Sequence, residues 1–180
     1  MIEILDHLDV LTQPDVAPES LSLAGVPYGS RAADSIDRTR VTQVSWAPII
    51  GAMRGGSDGW EYFDADDRPL SLDEVIDSAL ADRGSLLYTP AKISFKVEAT
   101  RVVTMALYGE RLDHFASLRT YDEFLATFGK PDHMDESWDT GELMSYSNYY
   151  WRSRKLATWD CWDNRVALVS LGEWTPDNKV

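Results

Sequence analysis

The 180-residue chain has one cysteine, three histidines and no long apolar run. A lone Cys161 cannot form an intramolecular disulfide, which fits a reducing compartment. One cysteine and three scattered histidines do not supply the ligand spacing of a zinc site. No stretch approaches the roughly 20 apolar residues of a membrane helix, and the N-terminus lacks the features of a secretory signal. We therefore expect a cytoplasmic protein with no metal, no other cofactor and no membrane partner.

Basic residues are also scarce, because 17 Lys and Arg stand against 30 Asp and Glu and give a formal net charge of −13. Residues 1–90 carry most of the excess, with 16 acids and 6 bases. Binding of nucleic-acid phosphates needs clustered cations, so we expect no nucleic-acid partner. The same charge would steer a basic partner toward the chain, and solubility alone is the alternative explanation.

Hydrophobic periodicity predicts three short helices. One covers about residues 31–39, and the other two begin at the capping boxes headed by Ser71 and Thr120. Gly129, followed by a proline, is expected to end the third helix. Long helices and alternating βαβ patterns are missing, which favours the α+β class.

The remaining segments are typical of antiparallel strands. The clearest hairpin pairs residues 93–97 with 102–108. Residues 42–50 are expected to form an edge strand broken by Pro48, and residues 51–59, with four glycines, a mobile loop. Four further strands are predicted at about 132–138, 142–151, 155–162 and 165–172. The predicted fold is therefore α+β, with an antiparallel sheet built on a C-terminal four-stranded meander and three short helices packed on one side.

The domain prediction follows from the same pattern. Residues 1–20, with two prolines in acidic surroundings, are expected to be a peripheral N-terminal lead-in. Residues 21–180 are expected to form a single α+β domain. It can be divided into two degenerate helix-plus-meander halves, at about 21–90 and 91–180.

No catalytic or metal-binding constellation is recognisable. The turn that begins at Asp64 resembles a calcium loop only at its start, because Pro69 stands where glycine is required and Val75 where a bidentate glutamate is required. Cys161 lies in no known nucleophile signature and alternates with tryptophans in a predicted strand, where a buried cysteine acts as a small apolar side chain. Pairs of carboxylates are numerous enough to hide a hydrolase, although chance pairing in a chain with 30 acids explains them far better.

The best candidate for a recognition surface is residues 58–82, which hold nine acids and one base, Arg68. Acidic side chains around an aromatic anchor suit a partner rich in Lys and Arg, whereas the alternative is an ordinary solvated helix face. The candidate partner-binding residues are Trp60, Glu61, Tyr62, Asp64, Asp66, Asp67, Asp73, Glu74 and Asp77. Aromatic side chains of the C-terminal meander are secondary candidates, unless they belong to the core: Tyr149, Trp151 and Trp162.

The helix that starts Thr-Tyr-Asp-Glu at Thr120 and ends Phe-Gly-Lys-Pro-Asp at Asp132, followed by a Trp-rich meander, resembles small bacterial immunity proteins of polymorphic-toxin loci. The helix end is also similar to the helix-plus-four-strand repeat of β-lactamase inhibitor proteins. The resemblance covers about residues 90–174 and transfers no functional residue. It implies a non-enzymatic protein that occludes the active site of a toxin, and a basic nuclease toxin would suit the acidic surface.

The sequence thus predicts an immunity or inhibitor protein, not an enzyme, that neutralises a cognate basic protein toxin. It is expected to act as a monomer or weak homodimer. The alternative is a regulatory or scaffold module that binds a small molecule or a protein through an aromatic pocket. A carboxylate-based enzyme is a third reading.

Overall fold

The computed structural model of the chain describes residues 1–13, 16–56, 59–112, 119–138, 145–151, 156–161 and 165–172. Helices and mainly antiparallel sheets alternate along these residues, which confirms the α+β class. The predicted sheet is wrong in extent, because the strands form several sheets and not the C-terminal meander alone. One pair, between residues 2–3 and 21–22, is also parallel.

The strands, numbered along the chain, are β1 (Ile2–Glu3), β2 (Leu21–Leu23), β3 (Val26–Pro27), β4 (Gln43–Ser45), β5 (Ala52–Gly56), β6 (Gly59–Phe63), β7 (Pro69–Leu70), β8 (Gly84–Tyr88), β9 (Ile93–Glu98), β10 (Arg101–Tyr108), β11 (His133–Trp138), β12 (Ser145–Trp151), β13 (Leu156–Cys161) and β14 (Arg165–Gly172). The α-helices are α1 (Ala32–Ser35), α2 (Leu72–Ala81), α3 (Gly109–Leu112) and α4 (Tyr121–Phe128). Short 3₁₀ helices cover Leu8–Thr12, Pro18–Ser20 and Arg38–Arg40.

The chain divides into two compact units, one made of Met1–Ala24 with Ala106–Val180 and the other of Gly25–Met105. We call them the outer-segment unit and the central unit. The expected lead-in over residues 1–20 includes buried Ile4, Val10 and Leu11. The prediction of one domain with two halves is not tested by this division and stays a prediction.

The core of the central unit lies between α2 and a sheet in which β4 pairs with β8 and β8 with β9, all antiparallel. Ser71 and Glu74 form both hydrogen bonds of the predicted capping box. The apolar side chains spaced three and four apart along α2 are buried, as their spacing predicts: Val75, Ile76, Ala79 and Leu80. They face β8 and β4, so the helix anchors the region that holds the candidate site.

Two predictions for residues 42–59 are wrong. The strand expected over residues 42–50 does lie at a sheet edge but is wrong in length: it is only β4, and it ends before Trp46, whose φ of 61° lies outside the strand region. The expected mobile loop is instead a hairpin, in which β5 pairs with β6 from Ala52↔Phe63 to Gly56↔Gly59. Glycine weakens a strand, but here the tryptophan opposite Gly55 supplies the missing side-chain cover.

The hairpin of β9 and β10 forms where alternation predicts it, with a loop of two residues, Ala99 and Thr100. Both have positive φ, 47° and 68°, as a type I′ turn requires. Alanine and threonine both resist this conformation, and Asn-Gly is the preferred pair. The loop is therefore locally strained and is held by backbone bonds from Thr100 N–H to Asp82 O and from Ala32 N–H to Thr100 O.

The double substitution Ala99→Asn, Thr100→Gly is expected to stabilise the chain by about 1 kcal/mol, because it removes the left-handed strain. Urea denaturation at equilibrium measures the change in the free energy of unfolding. The control is Thr104→Gly in β10, the strand that follows the loop, which should lower the free energy of unfolding. A loop variant less stable than the wild type would contradict the type I′ assignment.

The outer-segment unit contains the predicted C-terminal meander, with β11, β12, β13 and β14 paired antiparallel in chain order. Helix α4 begins at the capping box of Thr120 and Glu123 and is followed by Gly129 at φ 77°. Phe124 and Phe128, both buried, pack with their ring centroids 4.6 Å apart. The predicted start and end of this helix are therefore confirmed.

Candidate functional site: an acidic surface beside Trp60

The β5–β6 hairpin presents an aromatic side chain near its tip. Trp60 pairs with Gly55 across the hairpin. If Gly55 carried a Cβ atom, that atom would lie 3.7 Å from the Trp60 ring, an ordinary van der Waals distance. The side chain remains 46% exposed. A large ring is therefore exposed opposite a glycine, and the role of Trp60 in binding a partner stays a prediction.

Tyr62 is buried, although it was predicted as a partner-binding residue, which would have to be exposed. It is only 3% exposed, and its hydroxyl accepts a hydrogen bond of 2.9 Å from the backbone N–H of Val44. Burial raises the pKa of the phenol, and that hydrogen bond acts in the opposite direction. Tyr62 therefore joins the hairpin to edge strand β4 and does not offer its ring to a partner in this conformation.

The acidic turn after β6 is organised by Asp64. Its carboxylate accepts hydrogen bonds from the N–H groups of Asp66 and Arg68, both at 2.9 Å, and pairs with the Arg68 guanidinium at 3.0 Å. The hydrogen bond from the backbone N–H of Arg68 does most to hold the pKa of Asp64 below its ordinary value, and the Arg68 side chain contributes less. Asp64 thus builds the turn and stays ionised at neutral pH.

Arg68 also connects this turn to helix α2. Its guanidinium lies 3.5 Å from the Glu74 carboxylate, which accepts the Ser71 N–H bond of the capping box at 2.8 Å. The Ser71 bonds, more than Arg68, lower the pKa of Glu74. Asp64 and Glu74 are consequently held in fixed positions by a shared arginine.

A second arginine, Arg38, stands beside the exposed face of α2. It forms an ion pair with Asp77 and a longer one, 3.7 Å, with Asp73. Asp73 is the more exposed partner, with 86% of its side chain accessible. A hydrogen bond to Asp77 raises the pKa of Arg38, so this pair remains charged across the neutral range.

The third arginine, Arg54, lies opposite Glu61 in the hairpin and 3.9 Å from Asp67. Its guanidinium also covers the Phe63 ring at 4.6 Å, a cation–π contact. Within the described residues, Glu61 and Asp66 are exposed carboxylates with no ion pair. They are the acids of this region most available to an external cation.

Five of the candidate acids, Asp64, Asp67, Asp73, Glu74 and Asp77, thus form ion pairs with three arginines. We use the name acidic surface for the exposed Trp60 side chain and seven carboxylates: Glu61, Asp64, Asp66, Asp67, Asp73, Glu74 and Asp77. Three guanidiniums neutralise part of this charge. The sequence analysis did not include Arg38 and Arg54 in this surface, because both lie outside residues 58–82. The surface therefore combines a net negative charge with one exposed indole ring.

The secondary aromatic candidates are only partly described. Tyr149 and Trp151 lie on β12, where Tyr149 pairs with Met134 of β11 and Trp151 with Leu156 of β13. Trp162 lies outside the described residues. Their assignment as interface or core stays a prediction.

Sequence reading also missed Trp46, the most exposed of the tryptophans whose burial is described, at 72%. Its φ of 61° is unusual for a bulky side chain and costs about 1–3 kcal/mol, which the surrounding structure must offset. The pattern of alternation placed this residue in a strand. Only the proline two positions later signalled that the strand ends here.

In the part of the chain that is described, no group of three or more His, Cys, Asp or Glu side chains is placed to hold a metal ion. None of the helices there is long and apolar enough to cross a membrane. Comparisons with protein-family models, curated proteins and solved structures found no match.

Proposed function

We propose that the chain is a non-enzymatic inhibitor of the immunity type, which binds a basic protein toxin through the acidic surface and blocks its action. The observation that carries the proposal is that the β5–β6 hairpin exposes the Trp60 ring and, next to it in the chain, Glu61, whose carboxylate has no ion pair among the described residues. Tryptophan is the side chain most enriched among residues that dominate binding energy at interfaces. Glu61 and Asp66 would supply the charge that a basic partner recognises.

The arginines of the acidic surface support the same proposal. Carboxylates that already pair with Arg38 or Arg68 are held in place, so less side-chain entropy is lost when a partner binds them. Unpaired carboxylates contribute the long-range attraction that accelerates association. The surface therefore combines fixed acids that define shape with available acids that attract the partner.

The proposal is tested by co-expressing the chain with the product of the neighbouring gene in a host that this product kills. We expect restored growth and a complex that co-purifies. Failure of both results would overturn the inhibitor function, whatever the role of the acidic surface.

Charge reversal by Glu61→Lys and Asp66→Lys together is expected to slow association with the toxin about tenfold or more at low salt, because steering is lost. The dissociation rate constant should change less, and the salt dependence of association should weaken. Stopped-flow or surface-based kinetics at two salt concentrations measure both rate constants.

The matched control changes two exposed aspartates outside the acidic surface, Asp6→Lys together with Asp34→Lys, and so alters the net charge by the same amount. If the control slows association as much as the test variant, overall charge and not this surface attracts the partner. Trp60→Ala should instead mainly raise the dissociation rate constant, because the complex loses a side chain that the partner would bury.

A further inference from the structure

A second site lies in the central unit, at the residues that follow β4. A cavity of about 430 Å³ is lined there by residues of the segment after β4, among them Trp46, Ala47 and Pro48, and by Arg83 and the end of β9. This volume is within the range of pockets that hold small organic molecules. The cavity shares no residue with the acidic surface.

One part of the cavity lining is aromatic, and a hydrogen-bonded turn follows it in the chain. A turn with Pro48 at its second position, closed by the bond from Ile50 N–H to Ala47 O at 3.0 Å, follows directly after Trp46. The left-handed backbone of Trp46 leaves its ring exposed to solvent while Ala47 is buried. Strained backbone at an exposed ring is typical of binding sites, where the surrounding structure maintains it.

The charged residues of the lining, Arg83, Lys96 and Glu98, carry a net positive charge in a chain of net charge −13. Lys96 and Glu98 form an ion pair of 2.7 Å and largely neutralise each other. Arg83 is exposed and has no ion pair or hydrogen bond from its side chain among the described residues. The lining of the cavity therefore includes one arginine with an uncompensated guanidinium and one tryptophan with an exposed indole.

We propose that this cavity binds a small aromatic carboxylate. The two oxygens of a carboxylate match the paired N–H donors of the Arg83 guanidinium, whereas a single available cation suits a monoanion better than a polyanion. An aromatic ring on the ligand would stack against the Trp46 indole in an offset or edge-on geometry. Both groups fit in one cavity of about 430 Å³.

The test uses 2-naphthoate and the full-length chain labelled with ¹⁵N, observed through the indole N–H signals of its tryptophans. The Trp46 signal is identified by its loss in Trp46→Phe. We expect that signal to shift saturably with 2-naphthoate, and to shift much less with 2-naphthalenemethanol, which lacks the charge. Arg83→Gln should raise the dissociation constant about tenfold, the usual effect of losing a charge-assisted hydrogen bond.

The matched control is Arg31→Gln, which removes another exposed guanidinium and should leave 2-naphthoate binding unchanged. Equal shifts with the alcohol, equal weakening by the two arginine substitutions, or no shift of the Trp46 signal would each overturn the proposal. Charge reversal of Glu61 and Asp66 should not alter 2-naphthoate binding, so this result is independent of the proposed inhibitor function.

Discussion

Tyr62→Ala is expected to lower the free energy of unfolding by about 3–5 kcal/mol, the usual cost of removing a buried aromatic side chain. Tyr62 is 3% exposed and lies in the middle of β6, opposite Met53 and Leu70 of the neighbouring strands. Its removal would leave a cavity beneath the acidic surface. Chemical denaturation of the wild type and the variant gives the difference directly.

Tyr62→Phe separates the contribution of the ring from that of the hydroxyl. The Val44 N–H that now donates to Tyr62 would be left buried without this partner, at a cost of about 1–3 kcal/mol. Because Val44 belongs to edge strand β4, no further strand on that side can accept the bond within the described residues. Equal stability of the phenylalanine variant and the wild type would show that water or another group replaces the hydroxyl.

The same pair of proteins should differ in their response to alkaline pH. Burial raises the pKa of Tyr62 above its ordinary value of 10.0, so the folded state keeps the phenol neutral where the unfolded state ionises it. The stability that Tyr62 contributes is therefore fully present below pH 10.0 and is lost as the pH rises through the folded pKa. The advantage of the wild type over Tyr62→Phe should shrink above that pH. Tyr88, whose pKa is also raised by burial, is present in both proteins and cancels.

Local chemistry explains which parts of the fold could be predicted. The capping boxes at Ser71 and Thr120 specify helix starts through contacts three residues apart, and both helices begin there. Alternation in residues 93–97 likewise specifies β9. These elements depend on neighbours in sequence, so a single chain is sufficient to identify them.

The candidate site depends on contacts between distant residues, which periodicity does not reveal. Arg38 reaches Asp77 across 39 positions of the chain, and its role in the acidic surface has no local signal. Tyr62 was predicted at the surface because its neighbours are acidic, yet its partner Val44 is 18 positions away. The glycines of β5 suggested a loop because glycine alone favours one, whereas pairing with Trp60 across the hairpin favours a strand.

Gly51→Ala is expected to destabilise the central unit by about 3 kcal/mol, at the upper end of the usual cost of overpacking. A Cβ atom at Gly51 would lie 2.6 Å from the backbone nitrogen of Ala65 and 2.5 Å from the carbonyl oxygen of Asp64. Because both are backbone atoms, only a movement of the backbone could relieve these contacts. Gly51 N–H also donates to Phe63 O at 2.8 Å, so the segment cannot move away without losing that bond.

Gly55→Ala is the matched control, because it makes the same substitution in the same hairpin at a position with room for the methyl group. Its nearest neighbour would be the Trp60 ring at 3.7 Å, and its effect on stability should be small. Thermal and urea denaturation of both variants measure the contrast. If the chain binds a toxin as proposed, Gly51→Ala should also weaken that complex, because the Asp64 turn that carries Asp66 is displaced. Equal stability of the two glycine variants would show that this close approach is not required. The shape of the acidic surface therefore depends on a glycine that carries no charge itself.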